Sequence, residues 1–406
     1  MSKSQIPNSQ SAIPNPKSPP RCPACGGARL TPFYEMHGAP AHSVLLMPTR
    51  EAALTYPRGD IHLALCEACG FITNTAFDPT LHEYSERYEE TQGFSPTFSA
   101  FHRALAQRLI QRYDLHHKTI LEIGCGKGEF LTLLCQMGDN RGVGFDPAYI
   151  PERNQAADER LTFIRDFYSE QYADYQADFI VCKMTLEHIP DVGDFVAMVR
   201  RAIGDRRETV VFFQIPEIRR ILRDLEFVDV YYEHCSYFSP GSLARLFRRA
   251  GFDVIDLWTD YGDQYLMIEA RPGDGDSAPL PQEESLEELR QDVAYFAENV
   301  PVELARWRQI LADLHARGQR AVLWGGGSKA VAFLTTLGNS DAIEYVVDIN
   351  PYKQGYFLPG TGQEVVGPAF LQEYRPQVVI IMNPVYEAEI TRSLAEMGLH
   401  PKILLV

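Results

Sequence analysis

Apolar residues between positions 118 and 214 fall in four short runs, 118–123, 140–145, 179–184 and 209–214, each too short for a helix and bounded by polar or glycine residues. Such runs predict strands buried on both faces. Between them, Phe130, Leu131, Leu133 and Leu134 and the stretch 194–203 follow a helical period, and so does 98–113. The alternation predicts a doubly wound, mostly parallel sheet. A shorter series follows after residue 319. Runs at 320–324, 345–348 and 378–382, with Gly325-Gly-Gly-Ser-Lys329 after the first, predict a second and smaller Rossmann-type unit. The two are joined by Pro272-Gly-Asp-Gly-Asp-Ser-Ala-Pro279, a linker by composition, and by the charged, helix-periodic stretch 285–317. Residues 21–75 hold only short runs such as Ile61-His-Leu-Ala-Leu65, and residues 1–20 are rich in Ser, Pro, Asn and Gln. The predicted organisation is a disordered arm over 1–20, a small β-rich module over 21–83, an α/β domain over 84–275, a linker and helical connector over 276–318, and a C-terminal α/β domain over 319–406.

Composition narrows the partners. At 406 residues the chain is long for one core. A net charge of −16 argues against a surface that neutralises nucleic-acid phosphates. No run is long enough to span a bilayer. The expectation is a soluble, cytoplasmic protein acting on a small molecule, with no nucleic-acid or membrane partner; the oligomeric state is not legible.

Four cysteines carry the first chemical signal. Cys22 and Cys25, in Cys-Pro-Ala-Cys, and Cys66 and Cys69, in Cys-Glu-Ala-Cys, each place two sulfurs on one turn. Two such turns close a tetrahedral S4 shell around Zn²⁺ with no open position, which predicts a structural metal. Two disulfides are the alternative, disfavoured because no apolar signal segment points to an oxidising compartment. Cys135 and Cys182 lie in apolar runs and read as small buried hydrophobes.

The second signal is Glu122-Ile-Gly-Cys-Gly-Lys-Gly128, placed between a predicted strand and a predicted helix. Gly124, Gly126 and Gly128 permit a tight turn and close backbone approach to a ligand, and Asp146, ending the next strand, is placed to accept from ribose hydroxyls. A dinucleotide fingerprint would want a glycine where Glu129 stands. With Glu122 ahead of the loop, the pattern resembles motif I of the class I S-adenosylmethionine-dependent methyltransferases. The resemblance implies that Gly124, Gly126 and Gly128 contact the amino-acid part of the cofactor, that Glu122 supports it, and that Asp146 holds the ribose. Asp166, in Phe163-Ile-Arg-Asp-Phe167, is a candidate contact to the adenine, or else an ordinary loop carboxylate.

The third is Asp229-Val-Tyr-Tyr-Glu-His-Cys-Ser-Tyr-Phe-Ser239, which concentrates more hydrogen-bonding capacity than a core strand would. It resembles the Tyr-His-Glu-His…Tyr-Phe-Ser signature of the sugar C-methyltransferases, which methylate nucleotide-linked keto-deoxysugars and combine an N-terminal zinc domain, a central methyltransferase and a C-terminal Rossmann-like domain. Val347-Asp-Ile-Asn-Pro-Tyr-Lys-Gln-Gly355 fits the same family. Tyr232 departs from it, as do Trp324-Gly-Gly-Gly-Ser-Lys329 and Met382-Asn-Pro384. The resemblance implies that His234 is a general base, that Glu233 and Tyr231 orient it or the substrate, and that His188, in Leu186-Glu-His-Ile-Pro190, joins the pocket. An imidazole with an ordinary pKa of about 6.5 can take a proton from a carbon beside a ketone. Tyr84 and Tyr88 are candidate lid residues, and Lys329 and Lys353 either meet a nucleotide diphosphate or are surface charges. Methyl transfer to oxygen or nitrogen, or a non-catalytic scaffold, are the alternatives.

Overall fold

The structure, a computed structural model, describes residues 20–82, 85, 87–338 and 342–406. Residues 1–19 of the expected arm, and Tyr84, lie outside the described residues.

The N-terminal module is an antiparallel sheet of β1 (Leu30–Pro40), β2 (Arg58–Cys66) and β3 (Ile72–Asn74). Its two Cys-X-X-Cys turns are built alike. Gly26 donates its N–H to the Cys22 carbonyl at 2.7 Å and Gly70 to the Cys66 carbonyl at 2.9 Å, each with a φ of 75°. That left-handed geometry favours glycine, and it curls each turn so that both sulfurs point the same way.

The central domain follows the predicted alternation. β4 (Thr119–Ile123), β5 (Arg141–Phe145), β6 (Leu161–Ile164), β7 (Phe179–Lys183) and β8 (Val210–Pro216) are parallel neighbours. The helix Pro96–Tyr113 starts at Ser95, whose hydroxyl accepts from the Phe98 N–H at 3.2 Å, with Pro96 at the first helical position. β9 (Ser236–Tyr237) leaves this domain and pairs with β3, so the Tyr-Glu-His segment crosses from one sheet to the other. The sheet is not wholly parallel: β10 (Phe252–Asp260) and β11 (Tyr265–Pro272) form a hairpin, and β11 runs antiparallel to β8. The connection at Tyr261, Gly262 and Asp263 is too short for a crossover, which leaves only antiparallel pairing. The strand order is β10-β11-β8-β7-β4-β5-β6, and it reverses direction between β4 and β7. A crevice opens there at the C-terminal ends of the strands.

The helix Leu286–Ala316 is the predicted connector, begun by a capping box between Ser285 and Glu288. The C-terminal unit is an all-parallel sheet ordered β14-β13-β12-β15-β16, from β12 (Ala321–Trp324), β13 (Ile343–Val347), β14 (Glu364–Val366), β15 (Val378–Ile381) and β16 (Lys402–Leu405). The parts share a core. Met36 and Ile61 of the N-terminal module, Ile221 and Phe227 of the central domain, Trp307 of the long helix and Phe333 of the C-terminal unit belong to one apolar cluster. Among the described residues, no helix is long and apolar enough to cross a membrane.

Candidate functional site

A cavity of about 1630 Å³ sits at the crevice, walled by Gly124, Cys125, Gly126 and Lys127 of the glycine turn, the Tyr-Glu-His segment, and Gly325, Gly327 and Ser328 of the C-terminal unit. It exceeds the usual 300–1,000 Å³ of a single-ligand pocket. Gly128, expected beside the cofactor, does not line the cavity and packs toward Phe163 and Asn154 instead.

At one end lies the glycine turn. A Cβ at Gly124 would collide with the Thr185 side chain, and one at Gly126 would stand 2.6 Å from Glu90 Oε1. Asp146 holds the turn in place: its Oδ2 accepts the Gly126 N–H at 2.8 Å and its Oδ1 the Ala148 N–H at 2.7 Å. Each oxygen keeps a lone pair that a ribose hydroxyl can use. Glu122 is 2% exposed and its Oε2 has no hydrogen-bond partner among the described residues. Burial pushes its carboxyl up to about 8, opposed mainly by Lys183. Burial likewise brings Lys183 down to about 8, against the pull of Glu122. The Lys183 Nζ is 2.8 Å from His102 Nε2 and 3.9 Å from the centre of the Phe130 ring. Neither Lys183 nor His102 was anticipated; a lysine ending an apolar strand was the signal. Asp166 also lines the cavity, where it accepts from the Tyr172 hydroxyl at 2.6 Å and the Phe167 N–H at 2.8 Å. A glycine turn, an acceptor carboxylate with spare lone pairs and a buried carboxylate with an unmet oxygen together fit the amino-acid and ribose ends of an adenosyl cofactor.

At the other end His188, Tyr231 and His234 converge. The His234 ring centre is 4.1 Å from that of Tyr231 and 4.8 Å from that of His188, and the His188 Nδ1 is 3.0 Å from the Glu233 carbonyl oxygen. His234 is 3% exposed, and its Nδ1 has no partner among the described residues. Burial, then the neighbouring His188, holds its pKa well below the ordinary value. Glu233 faces elsewhere. Its Oε2 lies 2.9 Å from His42 Nδ1, and its Oε1 accepts the Ser43 N–H at 2.8 Å and the Ser43 hydroxyl. Burial alone would raise the Glu233 pKa, but these hydrogen bonds and the nearby imidazoles hold it well below the usual carboxylate range. The Ser328 hydroxyl lies 2.7 Å from that of Ser43 and donates to it, since the one Ser43 proton is given to Glu233. The N-terminal module, the central domain and the C-terminal turn thus meet at one carboxylate. No local pattern pointed to His42 or Ser43, which stand 191 and 190 residues from their partner.

Tyr88 lines the cavity. Lys329 and Lys353 are not plain surface charges: Lys329 pairs with Asp229 at 2.6 Å and with Glu226 at 3.3 Å, and Lys353 with Asp348 at 3.6 Å. Away from the cavity the four cysteines cluster, with Cys22 and Cys69 sulfurs 3.7 Å apart, Cys25 and Cys66 sulfurs 3.6 Å apart, and all four within 4.8 Å. Disulfide sulfurs sit about 2.05 Å apart. Four sulfurs around a tetrahedral zinc, each about 2.3 Å from it, sit about 3.8 Å apart, so the donor set and spacing fit that ion.

Two family models match the chain: a methyltransferase domain over residues 97–257 and a C-methyltransferase C-terminal domain over residues 277–400. The chain is 28% identical over 308 residues to the C-methyltransferase NovU of Streptomyces niveus, covering 71% of this chain and 72% of that protein. Among solved structures, the 1,6-didemethyltoxoflavin-N1-methyltransferase of Burkholderia thailandensis, with bound S-adenosylhomocysteine, aligns over 43% of this chain and 79% of its own at 19% identity, with a TM-score of 0.34. The magnesium protoporphyrin IX methyltransferase of Synechocystis PCC 6803 aligns over 44% and 84% at 15% identity, with a TM-score of 0.35.

Proposed function

We propose that the chain, which has the class I α/β fold, is an S-adenosylmethionine-dependent C-methyltransferase that methylates the carbon beside a ketone in a nucleotide-linked deoxysugar. The two family models it matches and its 28% identity to a C-methyltransferase support this reading. One observation carries the reading: the glycine turn and the histidine cluster share a cavity too large for one ligand. There is room for a cofactor and an acceptor of nucleotide size side by side. The glycines and Ser328 of the C-terminal turn line the same space and offer a wall for the nucleotide.

Bound S-adenosylmethionine supplies an electrophilic methyl group. Gly124 and Gly126 carry its amino-acid part with Glu122, while Asp146 takes the ribose and Asp166 the adenine. The protein's own task is to make the acceptor carbon nucleophilic. His234 removes the proton beside the ketone and Tyr231 donates a hydrogen bond to the enolate oxygen that forms, while His188, whose Nδ1–H is given to the Glu233 carbonyl, shapes the pocket. Glu233, fixed by His42 and Ser43, keeps the segment in place through its backbone contact with His188. Residues 21–83 form the zinc module, 84–275 the methyltransferase domain, 276–318 the connector and 319–406 the second Rossmann-like domain. Cys22, Cys25, Cys66 and Cys69 hold one structural zinc, which metal analysis of the purified protein checks.

The test uses a panel of nucleotide-linked 4-keto-deoxysugars with S-adenosylmethionine, read by mass spectrometry for one added methyl on carbon. His234→Asn should keep cofactor affinity and lower turnover on the order of 10²- to 10⁴-fold. Methyl transfer to oxygen or nitrogen, or full turnover in the variant, would sink the proposal.

A further inference from the structure

A lone imidazole is a weak proton acceptor in this pocket. Burial disfavours the imidazolium of His234, and the one charged carboxylate beside it in sequence, Glu233, is committed to His42 and Ser43. A second carboxylate lies closer to the need. Glu187, on the short turn Leu186–His188 after β7, lines the cavity and is 1% exposed. Neither of its carboxylate oxygens has a hydrogen-bond partner among the described residues, and the same holds for His234 Nδ1. A Glu187 oxygen and a His234 ring nitrogen lie within 4.8 Å, a gap that one bridging water or a side-chain rotation spans. The backbones are tied as well, since the Cys235 N–H donates to the Glu187 carbonyl at 3.0 Å. Buried polar atoms without partners are rare, and two sets side by side at a cavity wall call for an explanation.

We infer that Glu187 and His234 work as one proton-accepting pair, in which His234 meets the substrate and Glu187 takes up the displaced proton through Nδ1. The inference rests on the reading of His234 as the base. In the starting state Glu187 is a carboxylate and His234 carries its proton on Nδ1. The C–H bond beside the ketone breaks, its electron pair becomes the enolate, and the proton bonds to Nε2. The Nδ1 proton moves to a Glu187 oxygen, so both groups finish neutral and no cation is left buried. Burial pushes the Glu187 carboxyl up to about 8, the same direction that favours this end state. It also gives the pair a proton affinity suited to neutral pH, which His234 alone lacks. The surrounding groups do not compete. Cys182, Cys235, Tyr231 and Tyr265 all have raised pKa values through burial, and His188 and His82 have lowered ones, so all six are neutral near pH 7.

Nitrogen-15 NMR of histidine-labelled full-length protein tests this without any acceptor, with the His234 signals assigned by their loss in His234→Asn. Wild type should show the Nδ1-protonated tautomer above pH 8. Its nitrogen shifts should move through one transition centred near the Glu187 value of about 8, without passing to the imidazolium. Glu187→Gln should abolish the transition, and Glu233→Gln should retain it. If Glu187→Gln does not fold, the wild-type titration alone decides, because an Nε2-protonated ring that is silent between pH 6 and 9 contradicts the pair. A metal equivalent held by Glu187, His188 and His234 would overturn it too. A flat titration ends the pairing even if His234→Asn is inactive, whereas an active His234→Asn with a normal wild-type titration would end the reading of His234 as the base, and with it the pair's part in the reaction, while leaving the shared proton between the two side chains.

Discussion

The two glycine turns of the molecule are built on one backbone plan and differ in what faces the ligand. In the central domain the Gly124 N–H donates to the Phe145 carbonyl at 2.9 Å; in the C-terminal unit the Gly325 N–H donates to the Val347 carbonyl at 2.8 Å. Gly126 and Gly326 each donate to the aspartate ending the next strand, Asp146 and Asp348, both at 2.8 Å. Each aspartate also accepts a second N–H two residues on, from Ala148 at 2.7 Å and Asn350 at 2.8 Å. The side chains then diverge. Two residues before the first glycine stands Glu122 in one turn and Leu323 in the other, and Asp348 has an ammonium partner in Lys353 that its counterpart lacks at comparable range among the described residues. A Rossmann-type turn thus specifies a backbone cradle, and on the proposed assignment the neighbouring charges decide whether the cradle takes an adenosyl cofactor.

Paired substitutions break or sharpen that contrast. Asp146→Ala should weaken S-adenosylmethionine binding by about 1.5–3 kcal/mol, the range for hydrogen bonds to a charged group, or on the order of 10- to 150-fold. Asp348→Ala should leave that affinity unchanged in calorimetry and lower the melting temperature instead, because Gly326, Asn350 and Lys353 lose their shared acceptor. Equal losses of affinity in both would mean that the C-terminal turn also holds the cofactor.

Gly126→Ala should follow with a smaller loss. Gly126 has a φ of 54°, a conformation costing an ordinary residue roughly 1–2 kcal/mol, and its new Cβ would press on Glu90. The turn escapes this strain by leaving the conformation that binds, so affinity should fall about 5- to 30-fold. At Gly326 a Cβ meets Asp348 at 3.2 Å and Val365 at 3.3 Å, contacts that ease with shifts of a few tenths of an ångström. Gly326→Ala should bind the cofactor like wild type, and a matching loss there would contradict the division of labour.

What could be read from the chain was what is local. The cysteine pairs, the glycine turn and Asp146 lie within short stretches whose spacing carries the geometry, and the structure brings each set together. The parallel core strands were equally legible, because strands buried on both faces are apolar throughout. The β10–β11 hairpin was not anticipated: its reversal depends on the tight turn at Tyr261 to Asp263, whose effect on strand direction no run of apolar residues announces. Glu233 was singled out as a site residue by type and lines the cavity, but its partners come from another module, which the pairing of β3 with β9 ties to the Tyr-Glu-His segment. Lys329 looked like a solvated charge or a phosphate ligand for the same reason, since Asp229 is 100 residues from it, whereas the partner of Lys353, Asp348, is near in sequence and is brought within 3.6 Å by the turn between them.

The smallest effect concerns Glu122, the charge that distinguishes the two turns. In an unfolded chain a glutamate loses its proton near pH 4.5, whereas burial holds Glu122 protonated up to about 8 in the folded protein. Between these values the folded state binds the additional proton, so this group makes stability fall as pH rises. Glu122→Gln removes the penalty. The variant should match wild type near pH 5 and melt progressively higher than wild type as pH approaches 8, by a few degrees in a thermal-shift series without cofactor. Lys183 opposes the effect, because an ionised Glu122 beside its ammonium is partly compensated. A melting difference independent of pH would show that the compensation is complete and that Glu122 is ionised in the fold. The carboxylate would then meet the cofactor's amino group as a preformed anion, and Glu122→Gln should cost binding energy at every pH rather than only where the wild-type group is charged.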